Sequence, residues 1–338
     1  MVIKSSTDKA FYPEMAFSSP SNFSFEIIGG RLVKLSPDLT AFIKNDFKTL
    51  CTLHPRIMSD DGRFLSMMDP EALLLKGRNR YSDVLPYPLN RIKFQDPLLY
   101  FNGSVVLDGK AITCQGPQDN ECKRFWRMAW EFNATVVVMA TNFIEGSKRK
   151  CHRYFPSKNG EALPSASPEE LPKEQDLEVI KINGPELPAE GTPTPQAMTI
   201  RTILLQHGPE KKEVIHLQIG WLDNEAIDEA LLAEAIRFVV DHLEKTKGRL
   251  VSHCSAGIGR SGVFLAILQA LAQLKQGKTV TSDFIFEIVK TLRSKEQGRN
   301  GMVQTLAQYE LIFKTLILLD ENFGKQLCAL LKKPSGQS

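Results

Sequence analysis

One segment in the last third of the chain constrains the fold and the chemistry more than any other. Residues 249–253 form a short run that favours a strand, and residues 259–275 form a longer helix-forming run. Between them lie a cysteine, several small residues and glycine. This order predicts a strand, a tight loop and a helix. Small residues allow consecutive backbone N–H groups to turn inward and bind an anion, and the helix N-terminus adds positive potential there.

Cys254 and Arg260 are the residues expected to give this loop its chemistry. A cysteine at a helix N-terminus has a lowered pKa and is a thiolate at neutral pH. Arg260 follows six residues later, so its guanidinium can return to the loop and hold two phosphate oxygens. We expect Cys254 to attack a phosphoryl group and Ser261 to hydrogen-bond the sulfur when it leaves. The loop residues expected around the phosphate are Ser255, Ala256, Gly257, Ile258 and Gly259.

The spacing of the cysteine and the arginine is not sufficient by itself. A buried structural cysteine is the ordinary interpretation of such a residue, and Cys-x5-Arg also occurs by chance. The preceding strand, the glycines and the following helix favour a functional loop. A nucleotide-binding loop is the alternative, but the segment contains no Gly-Lys-Ser/Thr.

Composition and charge place the chain among soluble globular proteins. Of 338 residues, 42% are hydrophobic and 24% are charged. The net charge of +3 is too small to indicate a nucleic-acid partner. No uninterrupted apolar run is long enough to span a membrane, and the N-terminus lacks the apolar centre of a signal peptide. The six cysteines include no CxxC pair, which favours the reducing cytosol. We expect no cofactor and no metal.

The patterns along the chain predict an α+β fold. Helices and strands alternate in the last third, after a strand-rich middle, so we expect a central, highly twisted mixed sheet flanked by helices in a single large domain. We place this domain at residues 36–320, with an insertion at about 184–197 that is rich in proline, glycine and glutamate. Residues 1–35 are predicted to be a poorly ordered extension, and residues 321–338 a tail.

The segment from His253 to Ser261 resembles the signature of the protein tyrosine phosphatase family, His-Cys-x5-Arg-Ser/Thr. The resemblance extends from about residue 40 to 320. The segment Asn79-Arg80-Tyr81-Ser82-Asp83 is similar to the loop with which that family recognises phosphotyrosine. The resemblance implies that Tyr81 stacks on the substrate ring and that Asp83 holds the substrate backbone.

Two further motifs resemble the family's catalytic loops. Trp221-Leu222-Asp223 is similar to its mobile Trp-Pro-Asp loop, with leucine in place of proline. The resemblance implies that Asp223 protonates the leaving phenolate and later deprotonates water, as a general acid and base. Gln304 and Gln308 match the glutamine loop, so Gln304 would position the hydrolytic water, with Gln308 beside it.

The remaining candidate residues would support these loops. Glu145 and Lys150 resemble the loop whose glutamate orders the signature arginine, although this loop is one residue shorter than expected. Trp221 and His253 are expected to have supporting roles rather than chemical ones. His216 is also expected to be structural, and Cys114 and Cys151 are expected to be inert.

The predicted function is therefore hydrolysis of phosphotyrosine in proteins through a cysteinyl-phosphate intermediate. A catalytically impaired pseudophosphatase that binds phosphotyrosine is one alternative, because of Leu222. A dual-specificity or lipid phosphatase is another, but the predicted deep-pocket residue Tyr81 is evidence against it. We expect phosphotyrosine proteins as partners, a monomer, and a cytosolic location. That cytosol would be the host cell's if this is a secreted microbial effector.

Overall fold

The computed structural model describes residues 23–28, 31–53, 75–156, 177–184, 196–223 and 227–332. In chain order its strands are β1 (Phe25–Ile28), β2 (Arg31–Leu35), β3 (Gly103–Val106), β4 (Ala111–Cys114), β5 (Ala134–Met139), β6 (Ile144–Glu145), β7 (Lys148–Arg149), β8 (Leu177–Asn183), β9 (Met198–His207), β10 (Glu210–Ile219) and β11 (Arg249–His253). Its helices are α1 (Pro37–Leu53), α2 (Cys122–Glu131), α3 (Glu229–Thr246), α4 (Arg260–Lys275), α5 (Phe284–Leu292), α6 (Leu306–Leu319) and α7 (Glu321–Leu331).

Seven strands form one mixed sheet in the order β3-β4-β11-β5-β10-β9-β8. The four central strands β4, β11, β5 and β10 are parallel, and the outer strands pair antiparallel at both sides. The predicted α+β fold with a mixed sheet is therefore confirmed. Because β11 lies between β4 and β5, the loop that follows it emerges at the carboxyl edge of the parallel strands, where α/β sheets commonly bind ligands.

The burial of the central elements explains why the sequence forms them. Residues Val136, Val137 and Val138 of β5 have no exposed surface, because a central parallel strand is covered on both faces and favours β-branched side chains. Helix α4 is buried along most of its length, from Arg260 to Ala270. It packs against α5, α6 and β11. The loop between β11 and α4 is therefore held between two elements of the core.

The N-terminal boundary differs from the prediction. Residues 25–28 and 31–35 form an antiparallel hairpin, although residues 1–35 were predicted to be poorly ordered. Phe23, just before the hairpin, is 2% exposed, and the Phe25 ring packs against Gly324 of α7. The strands are only four and five residues long, so tertiary packing rather than a long periodic pattern stabilises them. Residues 1–22 lie outside the described residues.

The C-terminal boundary differs in the same way. The predicted tail contains α7, which is capped by the side chain of Asp320 at the backbone N–H of Phe323. Phe323, Leu327 and Cys328 are buried, at the spacing of one helix face. Helix α7 packs on α6, so this segment is part of the domain.

Several other predicted elements have different limits. The helix predicted from residue 225 begins at Glu229, after the cap Asp228, and residues 224–226 lie outside the description. The helix predicted from residue 303 begins at Leu306, because Val303 has a positive φ of 61° and Thr305 caps the helix. Most of the predicted insertion, residues 185–195, and most of the short helix predicted near 69–76 also lie outside the described residues.

Candidate active site

The loop between β11 and α4 wraps around the sulfur of Cys254. Cys254 is 3% exposed, and the backbone N–H of Gly257 donates to its Sγ over 3.3 Å. Gly257 has a φ of +78°, and a Cβ at this position would lie 2.2 Å from the carbonyl oxygen of Cys114. Only glycine fits this position without displacing β4. Of the predicted loop residues 255–259, all except Ala256 are buried.

The surroundings of Cys254 lower the pKa of its thiol. Burial raises this pKa, but the charge of Arg260, the side chain and backbone of Ser261 and the N–H of Gly257 together outweigh burial. The Ser261 hydroxyl contributes to the lowered pKa of Cys254, although it makes no hydrogen bond of ordinary geometry within the described part of the chain. The loop therefore stabilises an anion, and the sulfur is suited to act as a nucleophile.

Arg260 is held in position by a glutamate and by a backbone carbonyl. Its side chain is 2% exposed, and Nη1 donates to Glu145 Oε1 over 2.7 Å and to the carbonyl oxygen of Trp221 over 2.6 Å. Burial lowers the pKa of Arg260, but Cys254, Glu145 and Asp223 outweigh burial and raise it. The guanidinium is thus charged and oriented, as a bidentate phosphate ligand requires.

Asp223 lies above the loop, within reach of two cations. Its Oδ2 is 2.7 Å from Lys150 Nζ, and its Oδ1 is 3.7 Å from Arg260 Nη2. Its backbone N–H donates to Glu145 Oε2 over 3.0 Å. The side chain of Asp223 is 32% exposed, so it faces the mouth of the site. Glu145 therefore connects the arginine and the aspartate, which the sequence analysis had placed in separate motifs.

Tyr81 and the loop share a hydrogen bond at the rim of the site. The Tyr81 hydroxyl is 2.8 Å from Ser255 Oγ, and Ser255 Oγ donates to the carbonyl oxygen of Lys150 over 2.9 Å. The tyrosine ring therefore stands beside the phosphate-binding loop. Asp83 is exposed two residues further along.

The two predicted glutamines meet at Gly259. A Cβ on Gly259 would lie 2.5 Å from Gln304 Oε1 and 2.9 Å from Gln308 Nε2. The backbone N–H of Gln304 donates to Gln308 Oε1 over 2.8 Å, which fixes the start of α6. Gln308 is buried and Gln304 is exposed. The side chain that faces solvent beside the loop is thus the one predicted to hold a water molecule.

His253 is buried behind the nucleophile. Its Nε2 is 2.7 Å from the Tyr154 hydroxyl, which is also 2.6 Å from His216 Nε2. Its Nδ1 lies 3.1 Å from the carbonyl oxygen of Cys254. Burial lowers the pKa of His253 to about 4, so the ring is neutral at neutral pH. These contacts support the predicted structural role.

The sequence analysis missed the contribution of Arg299. This residue has no exposed surface, and its guanidinium donates to the carbonyl oxygens of Ala256 and Val84 over 3.3 Å and 3.4 Å. It also donates to Asn102 Oδ1. Arg299 thus ties the phosphate-binding loop to the Tyr81 segment. No local pattern distinguishes it from exposed basic residues, so the sequence offered no signal.

We also searched the described residues for metal-binding clusters and for membrane-spanning helices. No group of three or more His, Cys, Asp or Glu side chains within them could hold a metal ion. None of their helices is long and apolar enough to cross a membrane.

A buried thiol under an arginine and a carboxyl group, at the carboxyl edge of a mixed sheet, defines the class of cysteine-dependent phosphate-transfer sites. The family described as protein-tyrosine phosphatase matches residues 75–318 of the sequence. The chain therefore belongs to the protein-tyrosine phosphatase family, which confirms the family predicted from the signature.

Individual relatives agree with this assignment. The chain is 31% identical over 271 residues to human tyrosine-protein phosphatase non-receptor type 13, an alignment that covers 75% of this chain and 10% of that protein. It is 34% identical over 266 residues to mouse receptor-type tyrosine-protein phosphatase C, which covers 74% and 19%. It is 32% identical over 264 residues to rat receptor-type tyrosine-protein phosphatase R, which covers 74% and 36%. The chain thus spans a minor part of each relative.

Proposed function

We propose that this chain hydrolyses phosphotyrosine in proteins by a two-step mechanism with Cys254 as the nucleophile. One observation carries the proposal: the buried thiol, whose pKa is lowered, lies in a loop over which Arg260 and Asp223 are held together by Glu145. A structural cysteine would need neither the lowered pKa nor the two oriented side chains.

In the first step the Cys254 thiolate attacks phosphorus. The S–P bond forms while the bond from phosphorus to the tyrosine oxygen breaks, and its electron pair passes to that oxygen. Asp223, in its protonated form, gives a proton to the leaving phenolate. Arg260 and the loop N–H groups hold the equatorial phosphoryl oxygens, where charge is spread in the transition state. The products are the substrate protein with a dephosphorylated tyrosine side chain and a cysteinyl-phosphate.

In the second step water attacks the cysteinyl-phosphate. Gln304 positions the water, and the Asp223 carboxylate takes its proton as the new P–O bond forms. The S–P bond breaks, and the thiolate leaves with a hydrogen bond from Ser261. Inorganic phosphate is released, and Cys254 and Asp223 return to their starting protonation states.

The rim of the site supports a phosphotyrosine substrate. The Tyr81 ring, which is hydrogen-bonded to Ser255, forms an aromatic wall on which a phenyl ring can stack. Asp83 is exposed and can accept a hydrogen bond from a substrate backbone N–H. We further infer that the protein acts as a monomer in the cytosol, on phosphorylated proteins.

Leu222 supports a second candidate function, a phosphotyrosine-binding module that turns over slowly. It stands where the family has proline, and a leucine leaves the loop backbone less restricted than proline does. The contacts of Asp223 with Lys150 and Glu145 favour the enzyme over this alternative, because they hold its carboxyl group without help from a proline.

Phosphate release from a phosphotyrosyl peptide under reducing conditions tests the proposal. We expect release by the wild type, none by Cys254→Ser, and unchanged release by Cys51→Ser, a matched change at an exposed free cysteine of α1. A wild type that binds the peptide without releasing phosphate would favour the binding module. Equal rates on phosphoserine peptides or phosphoinositides would instead favour the dual-specificity or lipid class.

A further inference from the structure

A buried carboxyl group lies behind the substrate-recognition segment and takes no part in the mechanism. Glu121 ends a short 3₁₀ turn, Asp119–Glu121, and its side chain has no exposed surface. Its Oε2 accepts hydrogen bonds from Gln115 Nε2 over 2.7 Å and from the backbone N–H of Gln118 over 3.4 Å. Its Oε1 has no partner within the part of the chain that the structure describes. Burying such a group costs free energy, so its role needs an explanation.

Gln115, the partner of Glu121, holds the backbone that leads to Tyr81. Its Nε2 also donates to the carbonyl oxygen of Arg78 over 2.9 Å, and its Oε1 accepts from the backbone N–H of Arg80 over 2.8 Å. The side-chain amide therefore pairs with residues 78–80 as a neighbouring strand would. Tyr81 follows directly, and its hydroxyl meets Ser255 at the rim of the site.

The carboxylate of Glu121 determines which way the Gln115 amide faces. An ionised carboxylate only accepts hydrogen bonds, so the amide must turn its Nε2 toward Glu121. This orientation leaves Oε1 for the N–H of Arg80 and the second N–H of Nε2 for the carbonyl of Arg78. A reversed amide would place oxygen against oxygen at two of these contacts. Glu121 therefore stabilises the one orientation that holds the segment.

We propose that Glu121 is a positioning residue for phosphotyrosine: acting through Gln115, it fixes residues 78–80 and thereby the Tyr81 ring. This inference rests on the proposed function, in which Tyr81 forms the wall of the substrate pocket. Because the hydrogen bonds of Glu121 within the described part of the chain go to Gln115 and Gln118, its removal should affect substrate binding more than the chemical steps.

The ionisation of Glu121 should make KM depend on pH, which a purely structural role would not do. Burial raises its pKa to about 7, against the opposing effects of Gln115, Gln118, Arg124 and Arg78. Below this pH the carboxyl group is protonated, and its hydrogen bond from Gln115 loses the assistance of the negative charge. The KM of the wild type should therefore rise toward acid pH relative to that of Glu121→Gln, which carries no charge at any pH. The ratio of the two KM values cancels the titration of the substrate and of the catalytic groups.

The experiment compares kcat and KM for a phosphotyrosyl peptide in three single variants, and repeats one of them in a Tyr81→Ala background. We expect Glu121→Ala to raise KM by about three- to tenfold, as the loss of one buried hydrogen bond implies, with kcat within about twofold. Glu121→Gln keeps an acceptor and should lie close to the wild type at neutral pH. Asp119→Ala is the matched control, since it changes a carboxylate on the same turn that is 78% exposed. In a Tyr81→Ala background, Glu121→Ala should add less than about twofold, because coupled residues are not additive.

Two results would overturn the inference. One is an unchanged KM in Glu121→Ala at a temperature where that variant is folded. The other is an equal rise in KM on Glu121→Ala with Tyr81 present and with Tyr81→Ala, which would mean that Glu121 has only a structural role. If Glu121→Ala does not fold, the ratio of the KM values of the wild type and Glu121→Gln decides instead. A constant ratio across pH 6–8, about one unit either side of the Glu121 pKa, would reject the inference. Failure of the proposed function is distinct, because the wild type itself would then release no phosphate.

Discussion

At the scale of single residues, the proposed mechanism depends on Asp223 as the general acid. Asp223 is held near Arg260 by contacts with Lys150, Glu145 and Arg260 itself. We expect Asp223→Ala to lower kcat by about two to four orders of magnitude on a phosphotyrosyl peptide, the usual effect of losing a general acid. Steady-state rates on an activated aryl phosphate should fall much less, because that leaving group needs no proton. An equal loss on both substrates would point to misfolding.

A glycine in the loop provides a second test at this scale. Gly257 and Gly277 have similar positive φ angles of 78° and 76°, but only Gly257 lacks room for a Cβ. Alanine at Gly277 should cost about 1–2 kcal/mol of unfolding free energy from backbone strain alone. Alanine at Gly257 should cost about 1–3 kcal/mol more, because the Cβ collides with the Cys114 carbonyl, and should abolish turnover. Urea unfolding measures both, and equal costs would contradict the described loop geometry.

At the scale of elements, a buried carboxyl group joins α1 to α6. Asp46 is 2% exposed and accepts a hydrogen bond from the Tyr309 hydroxyl, one residue after Gln308. Burial raises the pKa of Asp46 to about 7 and outweighs the hydrogen bond from Tyr309, which lowers it; Asp283 and Glu287 make smaller contributions that also raise it. The protonated form is therefore the one that the folded state prefers at this contact.

The pH dependence of stability follows from that shift. The folded-state pKa of Asp46 lies above its ordinary value of 3.8. The contribution of Asp46 to the unfolding free energy is therefore fully present below pH 3.8 and is lost as pH rises through about 7. Across this window the wild type should lose on the order of 2–4 kcal/mol of unfolding free energy relative to Asp46→Asn. Chemical unfolding of both proteins from pH 4 to pH 8 measures this difference. A constant difference across the window would contradict the assignment.

The elements also show what the sequence could predict. The strand, loop and helix around Cys254 follow from local composition, and the family resemblance pointed to the other loops near the site. Glu121 and Arg299 act through contacts with segments more than thirty residues away in the chain, with Gln115 as the intermediary for Glu121. No local periodicity records such contacts, so these roles emerged only from the folded structure.

At the scale of the whole molecule, the domain is larger than its sequence pattern indicated. The hairpin of β1 and β2 and the helix α7 both pack on the core, although they were predicted to lie outside the catalytic domain. Short strands and one short amphipathic helix are hard to predict from the sequence alone, because their stability comes from the surfaces that they cover.

Substitutions in and beside the hairpin test whether it belongs to the cooperative unit. Phe23 is 2% exposed and Ile28 is 59% exposed. Phe23→Ala should lower the unfolding free energy by about 3–5 kcal/mol, as for other buried phenylalanines. Ile28→Ala, the matched exposed change, should stay within about 0.5 kcal/mol of the wild type. If Phe23→Ala is as stable as Ile28→Ala, the N-terminal segment is not part of the folded domain.

Trapping of the covalent intermediate tests the central claim most directly. Rapid acid quenching of the enzyme with a phosphotyrosyl peptide, followed by mass spectrometry, should find one phosphate on the peptide fragment that contains Cys254. Gln304→Ala should increase the trapped fraction, because the second step is slowed, and Cys254→Ser should show none while still binding the substrate. Phosphate release by Cys254→Ser near the wild-type rate, or a phosphate on another residue, would contradict the assignment of Cys254 as the nucleophile.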